Sequence, residues 1–184
     1  MDDKDRLRQD ALRRRSAMSS AERAAAGEAL ASVLGDILAG ADRVACYAAV
    51  GTEPPTAPLF AVCREVLLPV LLPHGDLDWA LHRDDLQPAR KGLLEPAGPR
   101  LGVDAISTCD VVLVPALAVD RNGNRLGRGG GSYDRALPRV TGLTIALLYD
   151  GEQAETLPGE PHDVAVRAVA TPSDGLLLLP SATT

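Results

Sequence analysis

The sequence has few aromatic residues, few cysteines and no long apolar run, and each absence excludes a class of protein. Aromatic residues make up 3% of its 184 residues against 46% apolar residues, so the core must be built from aliphatic side chains. Cys46, Cys63 and Cys109 are widely spaced and form no C-x-x-C pair, which indicates free thiols rather than disulfides or a zinc site. The longest apolar run, 111–119, is too short to span a bilayer. We expect a cytoplasmic protein with no membrane partner.

An excess of positive charge is also absent. The chain has 19 Lys and Arg against 25 Asp and Glu, a formal net charge of −6, which disfavours nucleic acid as a partner. The three histidines are scattered, and no serine stands in a G-x-S-x-G elbow. Neither G-x-x-x-x-G-K-[ST] nor G-x-G-x-x-G is present, so the two common nucleotide-binding motifs are excluded.

The order of apolar segments is typical of an α/β protein. Ser19 and Glu22 have the spacing of a capping box ahead of an alanine-rich helix that reaches Leu38, with Gly40 as its stop. Helices are predicted at 3–16, 19–38, 57–66 and 133–140, with an irregular stretch at 84–102. Strands are predicted at 43–49, 67–73, 77–82, 111–119, 144–149 and 166–171.

Strands separated by helices imply right-handed crossovers and a mostly parallel sheet that is covered on both faces. We therefore predict a single α/β domain over 1–184, with three layers (α/β/α) and a mixed, mostly parallel, Rossmann-like open sheet. A helical segment of about 3–38 would pack onto this core. Ligands bind beyond the carboxyl ends of such strands, so loops 50–55 and 120–134 are expected to face one crevice.

Three consecutive glycines, Gly129 to Gly131, join a strand-like run to a short helix-like segment. Glycine has no Cβ, so several backbone N–H groups can converge on one anion, and a following helix adds its unpaired donors. Arg125 and Arg128 would supply full positive charge beside them. These features favour a phosphate-binding loop over the alternative, a flexible surface turn.

Each polar residue near this loop allows two interpretations. Asp134 either caps the helix or holds Mg²⁺ against phosphates, and Asp163 is either a second metal ligand or a turn former. Glu53 is either a hydrogen-bond acceptor for a substrate or a solvated loop carboxylate. Lys4 and Arg8 lie four residues apart on one side of the first helix, where they either reach a phosphate together or form a solvated face.

Several segments of the chain occur together in a known family. They are Lys4-x-x-Leu7-Arg8, 17–23, the loop ending in Glu53, 92–96, Val114-Pro115, the signature from Asp120 through Arg125-Leu126-Gly127-Arg128-Gly129 to Tyr133-Asp134, and His162-Asp163. On these motifs the chain resembles the 5-formyltetrahydrofolate cyclo-ligases, also called 5,10-methenyltetrahydrofolate synthetases, almost end to end. Ser132 stands where many relatives have an aromatic residue, and Arg167 where many bacterial relatives have an acidic one.

The resemblance implies an ATP-dependent, Mg²⁺-requiring ligase. Such an enzyme converts 5-formyltetrahydrofolate to 5,10-methenyltetrahydrofolate and releases ADP and phosphate. The formyl oxygen is first phosphorylated, and N10 of the folate then attacks the formyl carbon. Two alternatives are an ATP-dependent relative that acts on another formyl or amide compound and a folate- or nucleotide-binding paralogue without turnover. The small-molecule substrate would be the protein's partner, and we expect a monomer.

Carried over position by position, the resemblance also implies roles for individual residues. Those that would bind ATP are Lys4, Arg8, Arg125, Leu126, Gly127, Arg128, Gly129, Gly130, Gly131, Ser132 and Tyr133. Those that would contact the folate are Ala48, Glu53, Arg128, Gly129, Gly130, Gly131 and Ser132. Asp134 and Asp163 would hold Mg²⁺, and Arg125, Arg128 and Tyr133 would act in catalysis.

Overall fold

The computed structural model describes residues 3–160 and 163–180. The helices are α1 (Asp3–Ala17), α2 (Ser20–Gly40), α3 (Ala57–Phe60) and α4 (Ser132–Ala136). The strands are β1 (Val44–Ala45), β2 (Val66–Leu71), β3 (Leu77–Leu81), β4 (Leu86–Pro88), β5 (Leu94–Pro96), β6 (Val111–Pro115), β7 (Ala118–Asp120), β8 (Arg125–Leu126), β9 (Leu143–Leu147), β10 (Gln153–Ala154), β11 (Ala168–Thr171) and β12 (Gly175–Leu178). Short 3-10 helices occupy Arg90–Gly92, Val103–Thr108 and Leu137–Arg139.

Seven strands form the central sheet, in the order β12-β11-β9-β6-β1-β2-β3. The five inner strands are parallel, and the edge strands β12 and β3 are antiparallel to their neighbours. This arrangement confirms the predicted mixed, mostly parallel sheet. Two smaller sheets, β10-β7-β8 and the hairpin β4-β5, flank it.

Helical segments cover both faces of the central sheet. On one face, Leu30, Leu34 and Leu38 recur every four residues along α2 and are fully buried in one cluster with sheet residues such as Leu113. Burial of each such side chain contributes roughly 1.5–3 kcal/mol. On the other face, the short helical segments at 103–108 and 132–139 pack against the opposite side of β6. The three predicted layers are therefore confirmed.

The predicted capping box starts α2. The backbone N–H of Glu22 donates to Ser19 Oγ at 3.2 Å, and the backbone N–H of Ser19 donates to Glu22 Oε2 at 2.7 Å. Two N–H groups that the first helical turn leaves unpaired are thereby satisfied. The helix ends at Gly40, as the sequence predicts.

The first helix packs on the small sheet rather than on the central one. Ala11 is 1% exposed and lies in a cluster with Leu117, Leu126 and Leu157. Within the described residues, no helix combines the length and the apolar character that a bilayer crossing needs.

Several parts of the predicted element order differ from the structure, among them the strand expected at 43–49, of which only Val44–Ala45 forms β1. The strand expected at 111–119 is divided, because Pro115 has no N–H to continue a ladder and the chain leaves the central sheet to form β7 in the small one. The helix expected at 57–66 ends at Phe60, since Val66 already begins β2. The stretch 84–102, expected to be irregular, contains the β4-β5 hairpin, and β12 follows the strand that was expected to be the last.

Candidate active site

A cavity of about 290 Å³ lies beyond the carboxyl ends of β1 and β6, where Ala48 and Pro115 line it. The glycine loop, the start of α1 and the loop that carries Glu53 form other parts of its lining. Every residue for which the sequence predicts a role lines this cavity: Lys4, Arg8, Ala48, Glu53, Arg125, Leu126, Gly127, Arg128, Gly129, Gly130, Gly131, Ser132, Tyr133, Asp134 and Asp163. His162 lies outside the described residues.

The glycine loop contains backbone conformations that side chains disfavour. Gly129 and Gly131 have φ values of +94° and +67°, in the region that glycine adopts without steric cost. A Cβ at position 131 would also lie 3.1 Å from Arg135 Nη1. The loop is tied to α1, since Arg8 Nε donates to the carbonyl oxygen of Gly127 at 3.0 Å.

The helix after the loop differs from the expectation. Gly131 is the N-cap of α4 and the helix has no side-chain capping bond, so Asp134 does not cap it. The Asp134 carboxylate instead accepts from Arg125 Nη2 at 2.5 Å. Because α4 has only five residues, positive charge at this loop comes chiefly from side chains rather than from a helix dipole.

Ion pairs link distant parts of the chain at the cavity. Lys4 Nζ lies 3.0 Å from Asp163 Oδ2, and Arg128 Nε lies 3.2 Å from Glu53 Oε1. Lys4 also contacts Glu160 Oε1 at 3.2 Å. Burial lowers the pKa of Lys4, but hydrogen bonds and charge from the two carboxylates outweigh this effect and raise its pKa overall. The ammonium group therefore stays charged at neutral pH.

Glu53 lies in an environment that disfavours its charged form. Burial raises the pKa of its carboxyl group, although the Val50 N–H, which donates to Oε2 at 2.9 Å, and the charge of Arg128 oppose that rise. A desolvated carboxylate that keeps unused acceptor capacity is suited to hydrogen-bonding N–H donors of a ligand.

Three buried polar atoms at the cavity have no hydrogen-bond partner in the described part of the chain. They are the hydroxyl oxygens of Tyr47 and Tyr133 and the Nε atom of Arg125. The Arg125 guanidinium carbon also lies 5.9 Å from the centroid of the Tyr133 ring. Burial raises the pKa of both tyrosines, so their hydroxyl groups stay protonated at neutral pH. Since buried polar groups are normally paired, these atoms are suited to contact a polar ligand.

Arg15 is a structural residue of the site that sequence analysis missed. It is 1% exposed, and its Nε and Nη2 atoms each lie 2.7 Å from an oxygen of Glu152. Nη2 also donates to the carbonyl oxygen of Ala116 at 2.6 Å, on the cavity wall. Arg15 therefore anchors α1 to two separate segments. Its sequence environment, a run of three arginines, gave no signal, because the partner Glu152 is far away in the chain.

The β4-β5 hairpin forms a second wall that the residue analysis did not assign. Lys91, Leu93 and Leu94 from this hairpin line the cavity beside Pro69 and Leu71 of β2 and Leu77 of β3. Glu95 Oε1 accepts from the backbone N–H of Leu71 at 2.8 Å and ties the hairpin to the central sheet. The family motif at 92–96 was the available signal for this wall.

The carboxylates at the cavity suit a metal that arrives with phosphates. The described residues contain no group of three or more His, Cys, Asp or Glu side chains arranged to hold a metal ion. Asp134 and Asp163 both line the cavity, and Mg²⁺ is usually bound by one or two carboxylates together with substrate phosphates. The donor set therefore fits Mg²⁺ bound to a nucleotide.

Comparison with known proteins assigns the family. Residues 1–172 match the sequence model of the 5-formyltetrahydrofolate cyclo-ligase family. The chain belongs to this family. A 5-formyltetrahydrofolate cyclo-ligase of Mycolicibacterium smegmatis is 39% identical over 188 residues, which cover 96% of this chain and 97% of that protein. One from Escherichia coli K12 is 34% identical over 129 residues, covering 66% of this chain and 71% of that protein.

Solved structures agree with the family assignment. An NMR structure of 5,10-methenyltetrahydrofolate synthetase from Aquifex aeolicus aligns with a TM-score of 0.83 and 28% identity, over 98% of this chain and 95% of that one. A 5,10-methenyltetrahydrofolate synthetase from Mycoplasma pneumoniae shares the fold, with a TM-score of 0.73 and 19% identity over 91% of this chain and 98% of that one. The predicted family, the α/β fold and the enzyme class, an ATP-dependent ligase, are confirmed.

Proposed function

We propose that this cyclo-ligase family member converts 5-formyltetrahydrofolate to 5,10-methenyltetrahydrofolate at the expense of ATP. The observation that carries the proposal is one cavity that combines the glycine loop, its arginines and lysine, a buried carboxylate and an apolar wall. Phosphates and a folate would meet within it. The relatives named for this activity support the same substrate class.

The glycine loop and its surrounding cations form the ATP subsite in this proposal. Arg125 and Arg128 flank the loop, while Lys4 and Arg8 approach it from α1. Arg125 Nε, which has no partner among the described residues, remains available as a donor to a phosphate oxygen. Leu126 and 129–133 would line the nucleotide.

Asp134 and Asp163 hold Mg²⁺ in this proposal, and the ion supplies charge neutralisation at the phosphates. Their present partners, Arg125 and Lys4, are the cations that also face those phosphates. Each carboxylate therefore has two roles in the proposal: it is a metal ligand, and it positions a cationic side chain.

The chemical step requires activation of a poor leaving group. A formamide oxygen does not leave readily, so the γ-phosphoryl group first moves from ATP to that oxygen, and ADP departs. The N10 lone pair then forms a bond to the formyl carbon, the carbon–oxygen bond breaks, and phosphate leaves with its electron pair. Loss of the N10 proton to solvent gives the methenyl product. The protein mainly positions the reactants and neutralises charge, as in other phosphoryl transfers.

The folate subsite adjoins the loop. Glu53 accepts hydrogen bonds from the folate, Ala48 lines its pocket, and Arg128 with 129–132 contacts the formyl end. Arg125, Arg128 and Tyr133 lie closest to the chemistry in this proposal. We further propose a monomeric enzyme of the cytoplasm.

The test is formation of the methenyl chromophore. Purified protein, ATP, Mg²⁺ and 5-formyltetrahydrofolate are expected to give an absorbance rise matched mole for mole by ADP. Folate binding without any absorbance change would contradict turnover. A panel of other formylated compounds distinguishes this substrate from that of a related ligase.

A further inference from the structure

The cations that line the cavity differ in whether they have a carboxylate partner. Six lysine or arginine side chains line it, and five are paired within the described residues. The pairs are Lys4 with Asp163 and Glu160, Arg8 with Asp5, Arg15 with Glu152, Arg125 with Asp134, and Arg128 with Glu53. Within residues 3–160 and 163–180, the sixth cation, Lys91, has no ion-pair partner.

The backbone places Lys91 at the tip of the β4-β5 hairpin in a conformation that side chains rarely adopt. Its φ and ψ are 57° and 25°, the left-handed region that non-glycine residues disfavour. Hydrogen bonds across the tip hold it there, from the Ala89 N–H to the Leu93 oxygen at 2.8 Å and from the Leu93 N–H to the Arg90 oxygen at 3.2 Å. Such strain is typical of residues that present a side chain to a ligand.

The wall to which Lys91 belongs is otherwise apolar where it lines the cavity. Leu93 and Leu94 follow it on the hairpin, and Leu71 of β2 and Leu77 of β3 line the same wall. Leu94 is 37% exposed and lines the cavity, so it is accessible to a ligand there. A cation at the edge of an apolar surface fits a ligand that has an aromatic or aliphatic body followed by a carboxylate.

Of the two substrates, only the folate has that form. ATP carries its negative charge on the phosphates, which face the arginines beside the glycine loop and the lysine of α1. 5-Formyltetrahydrofolate has an aminobenzoyl group that ends in a glutamate with two carboxylates. We propose that Lys91 binds the carboxylates of this glutamate tail and that Leu93 and Leu94 contact the aminobenzoyl group. This inference rests on the proposed function, since it takes the folate as the ligand.

The experiment compares Lys91→Asn with Lys91→Arg and with a neighbouring control, Arg90→Asn. Asparagine tolerates the left-handed backbone, so the hairpin is retained while the charge is lost. Lys91→Asn should raise the KM for 5-formyltetrahydrofolate about two- to fivefold, the range of an exposed ion pair, with kcat and the KM for ATP unchanged. Lys91→Arg should behave as the wild type because it keeps the positive charge. Arg90→Asn should do so because Arg90 does not line the cavity.

A substrate whose tail carboxylates are blocked as amides tests the same contact from the side of the ligand. The wild type should lose the same factor with this compound, and Lys91→Asn should add no further loss. An equal KM for Lys91→Asn and the wild type, or an equal rise in Arg90→Asn, would overturn the inference. Equilibrium binding of 5-formyltetrahydrofolate to the same variants gives the same comparison without turnover, so a failure of the proposed reaction is distinguished from a failure of the tail contact.

Discussion

The two walls of the cavity are built by different means. The glycine-loop wall gathers charged side chains from α1, β8 and α4, and pairs them across long stretches of sequence, as Lys4 and Asp163 show. The hairpin wall is a local structure of eleven residues, 86–96, that presents leucines and one lysine without a carboxylate partner in the described chain. The first wall therefore forms only when distant parts of the chain have folded together, whereas hydrogen bonds within 86–96 form the hairpin of the second.

The largest expected effect is the loss of turnover when Asp134 becomes asparagine. The substitution removes a proposed Mg²⁺ ligand and the partner of Arg125, both on the glycine-loop wall. We expect kcat to fall roughly 10²- to 10³-fold, as when other groups that stabilise transition-state charge are removed. Asp150→Asn, whose aspartate lies outside this cavity, serves as the control. If stability fell as steeply as turnover, Asp134 would be a structural residue.

Arg15→Met should cause the largest loss of stability. It leaves Glu152 buried without its cation, which costs about 3–5 kcal/mol in the free energy of unfolding. Adding Glu152→Met should recover most of that loss, because no charge then remains buried. Urea unfolding measures both changes, and Arg13→Met on the exposed side of α1 is the control. A urea-unfolding curve for Arg15→Met that overlays that of the wild type would contradict the anchoring role.

A pair of glycine substitutions tests the two walls directly. Gly131 and Gly92 both have left-handed φ values, +67° and +72°, so alanine costs roughly 1–2 kcal/mol at each. The alanine at 131 also crowds Arg135, whereas nothing lies near the corresponding position at 92. We expect Gly131→Ala to raise the KM for ATP together with that for the folate, whose formyl end this loop also contacts in the proposal. Gly92→Ala should raise only the KM for the folate. An equal rise in the KM for ATP in both variants would show that the walls are not separate in function.

The smallest expected effect is a pH dependence of stability from Glu53. Because burial raises its pKa above the ordinary value of 4.5, the folded state binds more protons than the unfolded state between 4.5 and the raised pKa. The free energy of unfolding therefore falls as the pH rises from 4.5 through the raised pKa. Glu53→Gln should remove this decline in unfolding measured from pH 4 to 7.

Asp76 provides the opposite case outside the cavity. Burial raises the pKa of its carboxyl group, but hydrogen bonds from Arg139 and the Leu77 N–H prevail and lower it below the ordinary 3.8. Its contribution is therefore present above 3.8 and lost as pH falls through the lowered value. Asp76→Asn should reduce the loss in the free energy of unfolding that occurs as the pH falls below 3.8, and Glu53→Gln should not.

Local chemistry made much of the glycine-loop wall predictable. The capping box of α2 and the glycines beside Arg125 and Arg128 are short-range patterns, and motif resemblance selected between the alternatives that the residues left open for Lys4 and Asp163. Arg15 was missed because a buried arginine has the same sequence appearance as a solvated one, and only the tertiary structure supplies Glu152 as its partner. Propensity cannot identify such pairs.

The errors in strand assignment have a common physical origin. An apolar run such as 111–119 records burial but not the sheet in which each residue is buried, so it could not show that Pro115 ends one ladder and Ala118 begins another. In the same way, 57–66 records an apolar segment whose last residue is needed as a strand beside β1. For 111–119 the burial was predicted well, and the pairing was not.

The anchoring of α1 is uneven along its length, and this has a consequence for local opening. Its first two turns are held by charge, through Lys4 and Arg8, whereas its later turns are held by the buried Ala11 and Arg15. Amide hydrogen exchange should therefore slow progressively from Asp3 toward Arg15, and added salt should speed exchange only in the early turns. We therefore expect the N-terminal turns of α1, which line the proposed ATP subsite, to open locally while the turns around Ala11 and Arg15 stay packed.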